Sequence, residues 1–345
     1  MSHAAPLPPL PPLPLSPLPL SPLPPPSLRP QSPAPPLLLP PPAGPPATSA
    51  GGRGGPVPRD AVGILAGAAA MIFVGGSVAV SAVLAPAPNF TAQALRYALA
   101  CLLLVGVATL RRQRLVLPRG AEWGWLLAVS TTGLVGFNVA LVEGSRHAEP
   151  AVLGVAVACV PLVFAVVAPL LDGRRPRPVV VVAALVVTGG AALVQGVGRS
   201  DATGLGWAVV VLCCEAGFTL FAVPVLRRHG PWGVSVHTTW LAAVAFAGVG
   251  VLHEGPGAVA RLRGPELLAV GYLAVAVTAV AFVLWYSGVR RLGAARAGLL
   301  TGVAPVAAAA AGVALGGPAP RPLVWLGILV VAAGLAIGLP ASRRR

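Results

Sequence analysis

The chain has 345 residues, of which 56% are hydrophobic and only 10% are charged, with a mean hydropathy of +0.84. A soluble domain carries about 25% charged residues, so this composition excludes a protein whose surface is covered by water and makes lipid its solvent. The net charge is +15, carried entirely by arginine; a nucleic-acid binder gathers such charge on one polar face, whereas here it falls in short gaps between apolar runs, which excludes nucleic acid as the partner.

Residues 1–58 are Pro, Leu, Ser and Gly with almost no charge. Proline removes backbone donors and blocks helix, so the leucines of this segment cannot span a bilayer and its prolines interrupt any signal-peptide core. It reads as a disordered tail with polyproline II stretches, and three roles stay open: a ligand for a proline-recognition domain, a loose cytoplasmic tail, or a stretch upstream of the true start. From residue 60 onward, apolar runs of about 20 residues follow one another. The predicted spans are 61–83, 90–110, 122–143, 149–171, 178–198, 204–226, 233–252, 266–288, 294–315 and 322–340, followed by the basic terminus 341–345. The expected fold is therefore an all-α integral membrane protein of ten transmembrane helices.

The arginines orient it. Seventeen lie on one side of this alternation, including Arg111, Arg112, Arg174, Arg175, Arg227 and Arg290, and five on the other: Arg146, Arg199, Arg261, Arg263 and Arg321. Positive residues stay on the cytoplasmic side, so both termini are expected in the cytoplasm, with the protein in the plasma membrane.

One offset recurs along the chain. Pro161 and Pro305 lie 144 residues apart, as do Gly154 and Gly298, Arg146 and Arg290, Glu122 and Glu266, and Gly190 and Gly334. Matched prolines, arginines and glycines at one ungapped offset imply duplication, with copies at 60–199 and 204–340. Five helices per copy is an odd number, so the second copy enters the membrane from the opposite side, giving inverted repeats of the kind found in secondary transporters.

Four segments carry a family resemblance: PheValGlyGlySer at 73–77, AlaLeuArgTyrAlaLeuAlaCysLeuLeuLeu at 94–104, the stretch from Phe137 through Pro161, and Arg290-Arg291-Leu292-Gly293-Ala294 through Pro305 to Gly338. Over residues 61–340 the chain resembles the EamA family of the drug/metabolite transporter superfamily. The resemblance implies a carrier of small organic solutes and an arginine in the second helix, here Arg96. Where the family carries a Glu after its fourth and ninth helices, this chain has Asp172-Gly173 and Gly316-Gly317.

An ionisable group at bilayer depth faces a cavity or a partner. Glu215 lies in the middle of the sixth span, about 16 Å deep at 1.5 Å per residue, and is the candidate proton carrier; its bland alternative is a protonated carboxyl bonded to a neighbouring helix. Arg96 is either a holder of an anionic solute group or a structural clamp. Asn138 and Gln195 are amides in apolar runs, open to solute contact or interhelical bonding. Phe73, Phe218, Trp240, Trp285 and Tyr286 are candidates for an aromatic pocket, while Trp123, Trp125, Trp207, Trp232 and Trp325 sit near span ends as an interfacial belt. Glu143, Arg146 and Glu149 form a candidate outer gate or a solvated loop. Pro161 and Pro305 are read as bends beside a transport path.

The expected function is a secondary active transporter, an exporter of small organic solutes by alternating access, coupled to protons. The alternatives are a receptor or structural membrane protein and, further off, an intramembrane enzyme. The histidines His3, His147, His229, His237 and His253 have no metal-ligand spacing, and the four cysteines lie in apolar runs. No metal, cofactor or nucleotide-binding loop is expected; the partners are the bilayer, the solute and protons.

Overall fold

A computed structural model describes residues 59–317 and 319–340. The proline-rich segment 1–58 and the terminus 341–345, with the readings placed on them, lie outside the described residues. Among the described residues the protein is all helix, apart from one isolated antiparallel bridge between Ala148 and Ser200. Eight helical stretches are long and apolar enough to cross a membrane, and two shorter apolar helices accompany them. In chain order they are α1 (Arg59–Gly76), α2 (Asn89–Leu110), α3 (Ala121–Gly144), α4 (Pro150–Leu171), α5 (Pro178–Gln195), α6 (Ala202–Leu220), α7 (Val223–Glu254), α8 (Gly264–Leu292), α9 (Ala294–Ala314) and α10 (Pro322–Gly338).

The outward-facing side chains are as apolar as the inner ones. Leu65, Leu102, Leu268 and Leu329 are each at least 66% exposed. Such a surface is unfavourable in water and natural in hydrocarbon. The chain is a multi-pass membrane-embedded protein. Inside, one large cluster built around Tyr97, Leu126, Phe164, Phe246 and Tyr286 joins helices from both halves of the chain.

Helix ends differ from the expected spans for local reasons. The expected first span, 61–83, is helical to Ala82 but is broken at Ser77, between α1 and a short helix Val78–Ala82, because the Ser77 hydroxyl and amide both bond the Val74 carbonyl, at 2.7 and 3.2 Å. Three-residue bonding of this kind competes with the helical ladder. In place of the expected loop between 226 and 233, α7 consists of two arms meeting at Gly230, whose φ of 64° only glycine adopts readily. Pro231 then starts the second arm, a position that needs no amide donor.

Several irregularities recur at the 144-residue offset. A π-helical segment occupies Ser130–Gly136 in α3 and another occupies Leu273–Val280 in α8. Hydroxyl groups accompany the wider turns: Thr132 donates to the Ala128 carbonyl at 2.6 Å and Thr278 to the Leu273 carbonyl at 3.0 Å. α4 is interrupted at Cys159, two residues before Pro161, and α9 passes through a 3-10 turn, Leu300–Gly302, before Pro305. Each proline lacks the amide that would close the preceding turn. Two caps also match: the Arg119 amide donates to Glu122 and the Arg263 amide to Glu266, both at 2.8 Å.

α5 and α10 pack at very close range. A methyl group added at Gly190 would stand 2.7 Å from the Val331 nitrogen and 2.8 Å from the Gly327 oxygen. Small residues let membrane helices approach until backbones touch, where dispersion replaces the missing hydrophobic drive.

Candidate functional site

Three polar groups lie along the bundle interior between the lipid-facing walls. The first is centred on Arg96, which α2 carries about 10 Å in from its start at 1.5 Å per residue. Arg96 is half-buried, and its Nε donates to the Thr278 hydroxyl at 2.8 Å while Nη1 donates to Gln93 Oε1 at 3.3 Å. Its guanidinium carbon lies 5.1 Å from the centre of the Tyr97 ring. Gln93 Nε2 donates to Asn138 Oδ1 at 3.0 Å, and Asn138 Nδ2 donates to the Leu134 carbonyl at 2.6 Å and the Tyr97 hydroxyl at 3.3 Å. Thus α2, α3 and α8 together hold Arg96 and Asn138, two of the residues singled out in the sequence, in one network. Gln93 and Thr278 complete it. The signal for Gln93 was its spacing, three residues before Arg96 on one helix face.

The second group surrounds Glu215. Its half-buried side chain has no hydrogen-bond or ion-pair partner among the described residues. Phe218 lies one turn further along α6, with ring centres 4.9 Å from Phe282 and 5.2 Å from Tyr286. Two bonds to α6 hold the aromatic residues of α8: Trp285 Nε1 to the Thr219 hydroxyl at 2.9 Å, and the Tyr286 hydroxyl to the Phe218 carbonyl at 3.2 Å. The π-helical segment of α3 presses on the same place, since a methyl group at Gly133 would meet Phe218 at 2.5 Å and one at Gly136 would meet Cys214 Sγ at 3.2 Å. Phe218, Trp285 and Tyr286 therefore gather beside Glu215, with Phe282 added. Phe73 packs against the same large core cluster that contains Phe218, Trp285 and Tyr286.

The third group closes the arginine-rich end. Glu122, at the start of α3, accepts from the Arg228 guanidinium and contacts His229 Nε2 at 3.2 Å. The His229 side chain is wholly buried and its Nδ1 has no partner. His237 packs edge-on to His229 at 5.4 Å, donates from Nε2 to the Val116 carbonyl at 2.9 Å, and accepts from Trp240 Nε1 at 3.4 Å. A carbonyl only accepts and an indole only donates, so this pattern assigns the Nε2–H tautomer to His237. Trp240 thus belongs to this end, edge-on to Trp123 at 6.0 Å, rather than to the aromatic group beside Glu215. A second link across the chain's halves joins Arg296 to Asp60 at 3.3 Å.

At the arginine-poor end, the charged residues stay local. Arg146 pairs with Glu143 of its own helix end at 3.0 Å, Glu149 with Arg199 at 2.9 Å, and His147 with Asp201 at 3.0 Å. The Arg199 guanidinium holds the Glu149 carboxyl below the usual carboxylate range, and the Gly204 amide followed by His147 does the same for Asp201. Both carboxylates are therefore charged at neutral pH and lose that contribution as pH falls through those lowered values. An open cavity of about 610 Å³ is lined by Pro86, Pro88, His253, Glu254, Arg261 and Arg263 among others. Glu254 is occupied at the start of α2, accepting from the Phe90 and Thr91 amides at 2.9 and 2.8 Å. Gln195 packs against Gly154 where α4 meets α5, outside the Arg96 network. Asp172, where the family carries Glu, pairs with Arg174 at 2.6 Å on the surface. Cys213 faces outward and is exposed, unlike the other cysteines, because it lies on the outer flank of α6. Among the described residues no cluster of three or more His, Cys, Asp or Glu is placed to hold a metal ion.

Two copies of one family cover nearly all the described residues: the EamA-like transporter family matches residues 61–195 and again 202–339. The chain is 28% identical over 208 residues to the uncharacterized transporter YdeK of Bacillus subtilis (strain 168), covering 59% of this chain and 71% of that one. It is 27% identical over 249 residues to the uncharacterized transporter YetK of the same organism, covering 70% and 76%. A chain from a solved crystal structure shares the fold, with a TM-score of 0.70 at 23% identity over 82% of this chain and 98% of that one. Both curated relatives are named transporters, and the family match spans both halves of the bundle: the chain belongs to the EamA-like transporter family.

Proposed function

We propose that this transporter exports small organic solutes across the plasma membrane by alternating access, driven by protons carried on Glu215. In this reading all ten helices span the bilayer as two inverted five-helix repeats, 60–199 and 204–340, with both termini in the cytoplasm. The observation that carries it is the placement of Glu215: a carboxyl about 20 Å along α6 at 1.5 Å per residue, with no hydrogen-bond or ion-pair partner among the described residues, one turn before Phe218, which packs against aromatic side chains of α8 and the π-helical segment of α3. A carboxyl at that depth is costly unless it faces a cavity or a partner, and π-helical segments are frequent at functional places. The two prolines and the two π-helical segments supply bends on both sides of such a path.

The contacts between the halves at the arginine-rich end, Glu122 with Arg228 and His229, and Asp60 with Arg296, then act as the inner latch. The candidate outer residues Glu143, Arg146 and Glu149 brace one half at the rim. Glu122→Ala is expected to open the inner end more often. In a cysteine-free background carrying Ser130→Cys, a position now 1% exposed, labelling by an impermeant maleimide from the inner side rises several-fold. An unchanged labelling rate would place the gate elsewhere.

The test of the function itself is flux. Purified protein is placed in liposomes with a trapped pH dye and an imposed gradient, and pools of small metabolites, amino acids and drugs are added in turn. A solute whose addition dissipates the gradient in protein-containing vesicles, and not in empty ones, supports coupled transport. A full panel with no such solute sinks it.

A further inference from the structure

The Arg96 network carries charge that no other described residue balances. Arg296 and Arg228, nearer the helix ends, each meet a carboxylate. Arg96 lies deeper and meets none: its acceptors are the neutral Thr278 hydroxyl and Gln93 amide. A guanidinium has five N–H groups, and two are used here. The other three, two of them on Nη2, find no acceptor among the described residues, and Nη2 is not among the fully buried atoms left without a partner, so it keeps an accessible edge. The Tyr97 ring face offsets part of the charge but accepts none of those hydrogens.

The surrounding bonds fix the direction of every dipole. Thr278 spends its hydrogen on the Leu273 carbonyl, so only its oxygen can face Arg96. Gln93 spends its amide hydrogens toward Asn138, and Asn138 spends its own on Leu134 and Tyr97, so Gln93 also turns its oxygen to Arg96. The result is a cation held from behind by oriented oxygens, with its free edge presenting donors only. A planar oxyanion taking two parallel N–H bonds complements that edge. An ammonium group is repelled, and a neutral amide leaves the charge unbalanced.

We infer that the free edge of Arg96 is the subsite for a carboxylate of the transported solute, so that the substrates of this carrier are organic acids in their anionic form. The inference rests on the reading of the bundle interior as a solute path. Gln93 and Thr278 are positioning residues, and Asn138 acts through Gln93. An anionic lipid headgroup offers the same oxygen chemistry, so the test is run in phosphatidylcholine alone and again with anionic lipid added.

The experiment measures thermal unfolding of the full chain in phosphatidylcholine nanodiscs with acetate, octanoate, phenylacetate and citrate, and with octanamide, phenylacetamide and phenethylamine as matched controls. At least one carboxylate is expected to raise the midpoint saturably, and its matched amide or amine is not. Arg96→Gln weakens that carboxylate's apparent affinity at least tenfold, and Arg96→Lys weakens it less. Gln93→Glu is a second variant: it gives Arg96 an internal carboxylate at the cost of the bond to Asn138, and abolishes the response to added carboxylate. No saturable response to any carboxylate overturns the assignment, as does an equal response to the amides or a Gln93→Glu protein that binds as wild type does. So does a response that anionic lipid alone removes, because the site then belongs to lipid. The flux assay separates this from the transport reading. Gradient-coupled flux of neutral solutes only sinks the carboxylate subsite and leaves transport standing. Carboxylate binding with no flux of any solute sinks transport and leaves the subsite standing.

Discussion

Glu215→Gln will uncouple the carrier: gradient-driven flux falls about a hundredfold, the scale of losing a positioned proton-transfer group, while downhill exchange of labelled solute stays within a few-fold of wild type. Glutamine matches glutamate in size and polarity, so the neighbours of Glu215 lose little packing. What it lacks is a proton to release. The contact set makes this substitution clean, because no hydrogen bond or ion pair from Glu215 to another described residue is broken by it. Glu215→Asp keeps the chemistry but withdraws the carboxyl by one methylene from Tyr286, and is expected to retain coupling at reduced rate. The measurements are dye-reported proton flux and isotope counterflow in the same vesicles. Undiminished gradient-driven flux in Glu215→Gln would move the proton site elsewhere. Loss of counterflow as well would make Glu215 a solute contact instead.

The second large effect is on stability, and two adjacent residues decide it. Gly190→Ala is expected to destabilise the bundle by about 1–3 kcal/mol, the usual cost of overpacking a tight contact. Its new methyl group would meet the backbone of Gly327 and Val331 below 3 Å, and backbone cannot swing aside as a side-chain end does. Gly189→Ala changes the same helix by the same methyl group with no heavy atom of another element within 4 Å, and the higher helix propensity of alanine favours it by up to about 1 kcal/mol. Thermal unfolding in detergent should separate the two variants in opposite directions around the wild type. If both shift alike, the α5–α10 contact is looser than the structure places it.

Helices and their order were legible in the sequence because hydrophobic length is a local property. The duplication was legible because proline and glycine mark backbone events that survive divergence: Pro161 and Pro305 do sit beside helix interruptions, and Gly190 does sit at a backbone contact. Glu215 and Arg96 stood out because charge in an apolar run is conspicuous. The partners of those residues were not legible. Thr278 reaches Arg96 across 182 positions and Arg228 reaches Glu122 across 106, and nothing in a single sequence records such a pairing. Trp240 shows the same limit. Its indole is bonded to His237, a pairing that only the fold could reveal. The charged residues of the arginine-poor rim were conspicuous as a cluster, yet their pairings run along one half of the chain, a direction that composition does not encode.

The matched caps at Glu122 and Glu266 have a consequence for the resting state. Duplication hands a carrier two equivalent ends, and equivalent ends give no preference between two conformations of equal energy. Here both carboxylates are wired alike to the amide three residues before them. Only Glu122 also meets cationic partners from the other half; Glu266 has no arginine or histidine side chain within ion-pair distance among the described residues. That difference lies in the residues opposite one cap. On the proposed alternating-access cycle, which way an idle carrier faces then drifts through substitutions at the rim while the chemistry of what it carries stays unchanged.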